Sequence, residues 1–266
     1  MSEESKAYVE YADSLAKWTL SEGQNLIYFL GIMSKFPELS INNQLLIMGY
    51  KPDAQYIRSI DDWGQLGVKV NPEGTVIPII TPEEGGGYYI QAEIDAADTD
   101  YEYKAAYPDK MYALEALLVG HTDDIDVVNS IKGTSGRAMY HHQTRRISVV
   151  RGSDVSIDEF FTALASEFVH QSIAAERENT YPRASNQLTA IATAYALGIR
   201  YGMDVDNIHL EKLPDKYQNM TPRAAKKTLG EINQNFRLLD NNINAALSNI
   251  MQREMQIQGR DAHERS

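Results

Sequence analysis

The chain has 266 residues, 43% of them hydrophobic, enough for two modest domains or one large one. It contains no cysteine, which excludes disulfides, thiolate metal sites and cysteine nucleophiles, and fits a reducing compartment. No run of about 18 apolar residues and no apolar leader at the N-terminus is seen, so the sequence predicts a cytoplasmic protein without a membrane span. The net charge of −12 is unevenly spread: residues 1–133 carry 22 acids and 9 Lys/Arg, residues 134–266 carry 15 and 16. Most of the excess lies in 83–126, with 12 acids against Lys104 and Lys110. Such a surface repels phosphate at long range, so nucleic-acid contact needs a local basic or aromatic site.

In chain order, Tyr8, Tyr11, Ala12, Leu15 and Trp18, then Leu26, Ile27, Phe29, Leu30 and Met33, recur at helical spacing, with a break near Gly23. Pro37 ends the second helix, and Ser40 suits the N-cap of a short apolar helix, 41–50. Ser59 to Gly67 reads as one capped helical turn. Val68 to Val70 and Thr75 to Ile80 are β-branched runs around the turn Asn71-Pro72-Glu73-Gly74, which predicts a hairpin. Pro78 within the second run predicts an edge strand. Tyr88 to Ile94 alternates like a further strand, the section from Tyr101 is acidic and tyrosine-rich, and Tyr112 to Gly120 reads as a short helix.

A second hairpin is predicted from Arg137 to Val150, turning at His141–Thr144. Adjacent strand residues face opposite ways, so His141 and His142 read as turn-exposed histidines rather than joint ligands. Ser156 and Glu159 form a capping box ahead of a helix over 158–175. Its apolar stripe, Phe161, Leu164, Ala165, Phe168, Val169 and Ser172, accounts for one buried face; Ser166, Glu167 and His170 lie off it, on a side expected to be partly solvated. A second helix is predicted from Asn186 to Gly202. A long one follows from Pro222, capped by Thr221, with a 3.5-residue seam of Ala225, Leu229, Ile232, Phe236, Leu239, Ile243, Ala246 and Ile250. The seam suits packing on its own chain or, as a sharper alternative, a coiled-coil contact to a second copy. Residues 259–266 read as a disordered tail.

In Ser166-Glu167-Phe168-Val169-His170 the pattern H-E-x-x-H, in which two histidines grip zinc and the Glu polarises the metal-bound water, keeps its base and second ligand. A serine stands at the first ligand, and 186–203 offers no carboxylate as a third. The segments 40–47, Asp61-Asp62-Trp63, Gly67-Val68-Lys69 and Glu73-Gly74-Thr75 before an apolar strand resemble the N-terminal domain of ArdC-like antirestriction proteins. Tyr140 to Arg151, leading into 165–170, is similar to the ImmA/IrrE-like zincin domain that follows it. The closing 201–204, Leu213-Pro214 and long helix resemble versions carried by conjugative elements of Firmicutes. The resemblance implies single-stranded DNA binding that protects transferred DNA from restriction, with a metallopeptidase-like domain behind it. It carries Asn42, Asn43, Trp63, Lys69 and Thr75 over to the N-terminal motif, and Glu167 and His170 to the protease motif as vestiges without zinc.

The expected architecture is thus α+β: an ArdC N-terminal-like domain over 1–133 including the acidic section, a degenerate zincin-like domain over 134–258, and the tail. The leading expectation is a non-enzymatic, single-stranded DNA-binding antirestriction protein of a mobile element. Its expected contacts are Asn42, Asn43, Lys51, Tyr56, Arg58, Trp63 and Lys69, with Tyr50 beside them; Trp63 and Tyr56 also suit core anchors, Trp63 better than it suits stacking. The alternatives are an acidic, DNA-mimicking module for a basic protein partner, and a residual metallopeptidase in which Glu167 serves a metal held by His170 with His141 or His142. No cofactor is expected on the leading reading.

Overall fold

The computed structural model describes residues 3–119, 121, 124–132, 136–150, 152, 155–175 and 181–264, with side chains to Glu254. Arg151, at the end of the second hairpin motif, and Gly120, Gly133 and residues 122–123 lie outside the described residues. The chain divides into two compact units, one formed by Met1–Ala106 with His209–Asn233, the other by Tyr107–Ile208 with Gln234–Ser266. Residues 107–133 therefore group with the second unit. Small helix-backed sheets in each unit make the protein α+β.

The first unit opens with α1 (Glu3–Thr19) and α2 (Gly23–Lys35), divided at Ser21–Glu22, and α3 (Ile41–Tyr50). Ser40 caps α3 by accepting a hydrogen bond from the Asn43 amide at 3.3 Å. Leu26, Phe29, Leu30 and Met33 of α2 and Leu45, Leu46 and Ile47 of α3 are fully buried. Strand β1 (Ile57–Ser59) runs into α4 (Ile60–Gln65), which is capped by Ser59 and closed by Gly67 at φ 72°.

The expected hairpin at 68–80 forms differently. Strand β2 (Val76–Pro82) pairs antiparallel with β3 (Tyr88–Asp95), not with 68–70, and the sheet order is β1-β3-β2. The groups of 68–70 are taken elsewhere: the Lys69 amide donates to Asp100 Oδ1 at 2.8 Å, its carbonyl accepts from the Asp100 amide at 3.1 Å, and Val70 bridges to Thr99. The turn at 71–74 does close, with the Gly74 amide donating to the Asn71 carbonyl at 2.9 Å. Pro78 sits on an edge strand, where its missing N–H costs no ladder bond.

The second unit contains α5 (Lys110–Leu118), β4 (Ile125–Val128), β5 (Ala138–His141), β6 (Arg146–Val150), α6 (Ile157–Ala175) and α7 (Arg183–Arg200). Strands β5 and β6 make the predicted hairpin; β4, which the sequence pattern did not announce, joins β6 in parallel. Ser156 caps α6 by accepting from the Glu159 amide at 3.1 Å. Helix α6 packs on β5, α5 and α7. At Gly198 of α7 a Cβ would lie 2.4 Å from Val205 Cγ1 and 3.3 Å from Thr162 Cγ2 of α6, so glycine lets these side chains seat closely.

Helix α8 (Pro222–Glu264) contributes its first turns to the first unit and the rest to the second. Every residue of its 3.5-residue seam, from Ala225 to Ile250, is buried within this one chain. The seam therefore serves its own chain, as the first of its two expected uses required. The helix also continues through Gly259 to Glu264, where a disordered tail was expected. No helix among the described residues is long and apolar enough to cross a membrane.

Candidate functional site

Two arrangements bear on function, one in each unit. In the first unit, Asp95 organises the start of the site. This fully buried carboxylate accepts hydrogen bonds from the amides of Gln55 at 2.7 Å, Tyr56 at 2.9 Å and Ala97 at 3.0 Å, so it fixes the backbone entering β1 and leaving β3. Trp63 lies beneath with no exposed surface, its indole N–H donating to the Ile94 carbonyl at 3.0 Å. On this base Tyr56 meets Trp63 edge-on at 5.7 Å and is stacked by Tyr103 at 5.6 Å, the planes only 8° apart. Tyr101 leans on both Tyr56 and Trp63, at 6.1 and 5.5 Å. The Arg58 guanidinium lies 5.0 Å over the Tyr56 ring, and its Nε donates to the Tyr56 hydroxyl at 2.5 Å.

Tyr101 and Tyr103 are about two-fifths exposed, so the outer faces of this tyrosine patch meet solvent. Lys69 is exposed, and its backbone is tied to Asp100, the residue before Tyr101. Of the sequence-expected contacts the structure thus gathers Tyr56, Arg58 and Lys69 with Trp63 below them. The others are placed for different work. Asn43 is buried and binds Ile80 in both directions, donating from Nδ2 to its carbonyl at 3.0 Å and accepting its amide at 2.8 Å. Asn42 is half-buried beside it on α3. Lys51, mostly covered, pairs with Asp98 at 3.4 Å and Asp53 at 3.8 Å. Trp63 and Asn43 therefore hold the fold and have little surface to offer a ligand.

Tyr101 and Tyr103 were not singled out from sequence, although alternate positions of an extended segment put two rings on one side. Glu93, near the patch on β3, has its carboxyl pushed up to about 7, first by burial and then by Asp62, against the opposing effects of a hydrogen bond from Gln91 and the Arg58 cation. Much of the acidic section is spent on structure. Asp95 and Asp109 cap turns and helices, Asp98 accepts the Thr75 amide, Asp100 the Lys69 amide, and Asp126 binds Arg146 at 2.7 Å.

In the second unit, Glu167 and His170 are buried, where partial solvation was expected. The reason is a partner the spacing did not reveal. Arg183, at the start of α7, donates from Nη2 to Glu167 Oε1 at 2.6 Å and from Nη1 to Oε2 at 2.8 Å, and the Tyr140 amide donates to Oε2 at 2.7 Å. His170 Nδ1 is hydrogen-bonded to the Tyr181 hydroxyl, while its buried Nε2 makes no well-formed hydrogen bond. Burial foremost, then the Arg183 cation, hold the His170 pKa down to about 4 against the pulls of Glu167 and Gln187, so the ring is neutral at neutral pH. The His142 ring lies 5.7 Å from that of Tyr181, tilted by 36°, with a buried Nδ1, and His141 Nε2 is hydrogen-bonded to Ser148 Oγ at 2.8 Å, so both are partly covered rather than fully exposed.

A zinc ion of the kind gripped by H-E-x-x-H would find a poor donor set in this cluster. Both oxygens of Glu167 are engaged by a guanidinium, whose positive charge stands beside His170, and no group of three His, Asp or Glu side chains among the described residues could hold a metal ion. The geometry is that of a buried ion pair joining α6 to the start of α7.

These features define an α+β protein of two units, with a part-exposed tyrosine patch on the first and a salt-bridged Glu–His helix in the second. A solved structure, the metal-free crystal structure of the antirestriction protein ArdC from the R388 plasmid, is similar over 78% of this chain and 85% of that one, with a TM-score of 0.46 and 18% identity. No protein-family model and no curated protein matches the sequence.

Proposed function

We propose that the chain is an antirestriction-type protein that binds single-stranded DNA through the tyrosine patch of its first unit, with a second unit that works as a zinc-free scaffold. The observation carrying this reading is the stack of Tyr103 on Tyr56, with Tyr101 beside it and Arg58 over the ring. A base stacks on any such π-face irrespective of sequence, and single strands alone present unstacked faces. Arg58 and Lys69 supply local positive charge where the chain as a whole is acidic, so binding is expected to be modest and salt-sensitive. The order of sequence motifs shared with ArdC-like proteins supports the same reading, as does the use of many acidic side chains in caps and ion pairs, which leaves fewer for docking a basic partner.

The test is titration of a fluorescent single-stranded oligonucleotide at low and then physiological salt, with duplex of the same sequence as comparison. Binding at micromolar concentration that prefers single strands is expected. Tyr101→Ala with Tyr103→Ala should weaken it by roughly 1–3 kcal/mol per lost stacking contact, and Arg58→Ala with Lys69→Ala should lower the salt slope. Absence of binding at low salt, or full binding by the tyrosine variant, would refute the patch.

A further inference from the structure

The first unit holds a second aromatic feature, separate in its residues from the tyrosine patch. Between α1 and α3 lies an open cleft of about 470 Å³ lined by Tyr11, Ser14, Leu15, Trp18, Met48 and Gly49. Tyr50 meets Tyr11 edge-on at 5.8 Å and Tyr8 at 6.4 Å. Trp18 is 45% exposed, Tyr11 40% and Tyr50 39%, although α1 already buries Ala12 and Ala16 as its core stripe. Two large rings, Tyr11 and Trp18, left part-open on one cleft with Tyr50 against Tyr11 beside it, are not needed for that packing.

Gly49 shapes the floor. A Cβ there would lie 2.8 Å from Leu15 Cδ1 and 3.0 Å from the Tyr11 hydroxyl, so its absence lets both side chains seat against the α3 backbone. A glycine within a helix costs about 0.5–1 kcal/mol relative to alanine, a cost that this close seating accounts for. Among the described residues no charged side chain lines the cleft. Tyr50 is held in its neutral form by burial and by the neighbouring Tyr8 and Tyr11.

The chemistry of the ligand follows from this lining. An uncharged wall excludes anions and cations that would lose hydration without compensation. Rings of Tyr11 and Trp18 with the Met48 thioether favour a flat π-system, because aromatic edges and faces and sulfur each gain from such contact. The size falls in the range of small-molecule sites. We propose that this cleft binds a neutral planar aromatic ring of one or two fused rings, whether as a free small molecule or as a base of a single strand.

Only two tryptophans occur in the chain, Trp18 in the cleft and Trp63 in the core. Incorporation of 5-fluorotryptophan therefore gives two fluorine resonances, assigned with Trp18→Phe. Titration with indole and with adenosine should shift the Trp18 resonance saturably, half-way at about 0.1–1 mM as expected for so few atoms, and leave Trp63 unmoved. Tyr11→Ala, and separately Gly49→Ala, should weaken the shift about tenfold, with the unchanged Trp63 resonance showing that the unit is folded. An oligo-dA strand that produces the same saturable shift identifies a strand base as the source; a shift by adenosine alone identifies a free molecule. No saturable shift with either probe, an equal shift with cyclohexanol, or an unaltered response in Tyr11→Ala would overturn the proposal. The Tyr101→Ala, Tyr103→Ala variant should leave the Trp18 response intact, which separates failure of this site from failure of the strand-binding patch.

Discussion

Replacing Arg183 by Met should be among the most damaging single changes in the second unit. The Glu167 side chain is 6% exposed and takes two guanidinium hydrogen bonds at 2.6 and 2.8 Å. Without Arg183 its buried charge keeps, among the described residues, the Tyr140 amide as its hydrogen-bond donor, at 2.7 Å. Removing one partner of a buried pair costs about 3–5 kcal/mol. The Arg183 side chain is 32% exposed, so water can reach the vacated end, and about 2–4 kcal/mol is the better expectation here. Adding Glu167→Gln should recover much of that loss, since Gln retains an acceptor for the Tyr140 amide and carries no charge; a double-mutant cycle should give a coupling of at least about 1 kcal/mol. Both tryptophans lie in the first unit, so their fluorescence reports that unit and not this pair. Urea unfolding followed by circular dichroism, with hydrogen exchange of the α6 amides, supplies the right readout. The same variant removes the cation that depresses His170, so its pKa should rise from about 4 toward the ordinary value while burial, the larger cause, keeps it below. A coupling under about 0.5 kcal/mol together with unchanged α6 protection would refute the view that this ion pair holds the helix.

Glu93 gives a pH dependence with a definite sign. Its carboxyl is raised from 4.5 to about 7 in the folded protein, so the fold favours the protonated form, and stability should fall as pH rises from about 4.5 through 7 and level off above. Allowing for its partial exposure, the loss is about 1–2 kcal/mol, and Glu93→Gln should flatten it in urea midpoints read by tryptophan fluorescence, which reports the first unit; stability rising over that window would contradict the assignment. Asn43→Ala strips both hydrogen bonds from the buried Ile80 backbone and should cost about 2–4 kcal/mol, while oligonucleotide binding per folded molecule stays as in the parent; equal stability with lost binding would instead make Asn43 a contact residue.

The local rules carried the helices well. Ser40, Ser59, Ser156 and Thr221 each cap the helix they were expected to cap, because a cap is a contact between residues three apart and its signal is complete in the sequence. The strands were harder. Val68 to Val70 has the composition of a strand, and the turn after it closes, yet its partners are Thr99 and Asp100, some thirty residues on. Strand β4 pairs in parallel with β6 about twenty residues later, and nothing local specifies that register.

The same division explains which site residues were legible. Glu167 and His170 stood out because they belong to a spaced helical pattern, but the sense of that pattern depends on Arg183, a tertiary contact from another helix that leaves no periodic trace. A guanidinium that binds both oxygens of Glu167 supplies the positive charge a metal would bring, and it supplies it permanently. A helix can in this way keep a buried carboxylate and imidazole for structural reasons alone. The tyrosine patch reverses the case: Trp63, the residue most easily picked as a stacking platform, is the floor, and the rings that face solvent come from the acidic segment that composition alone would assign to repelling DNA. Charge counted over a segment and chemistry presented at one place on its surface are different quantities, and a ligand meets the second.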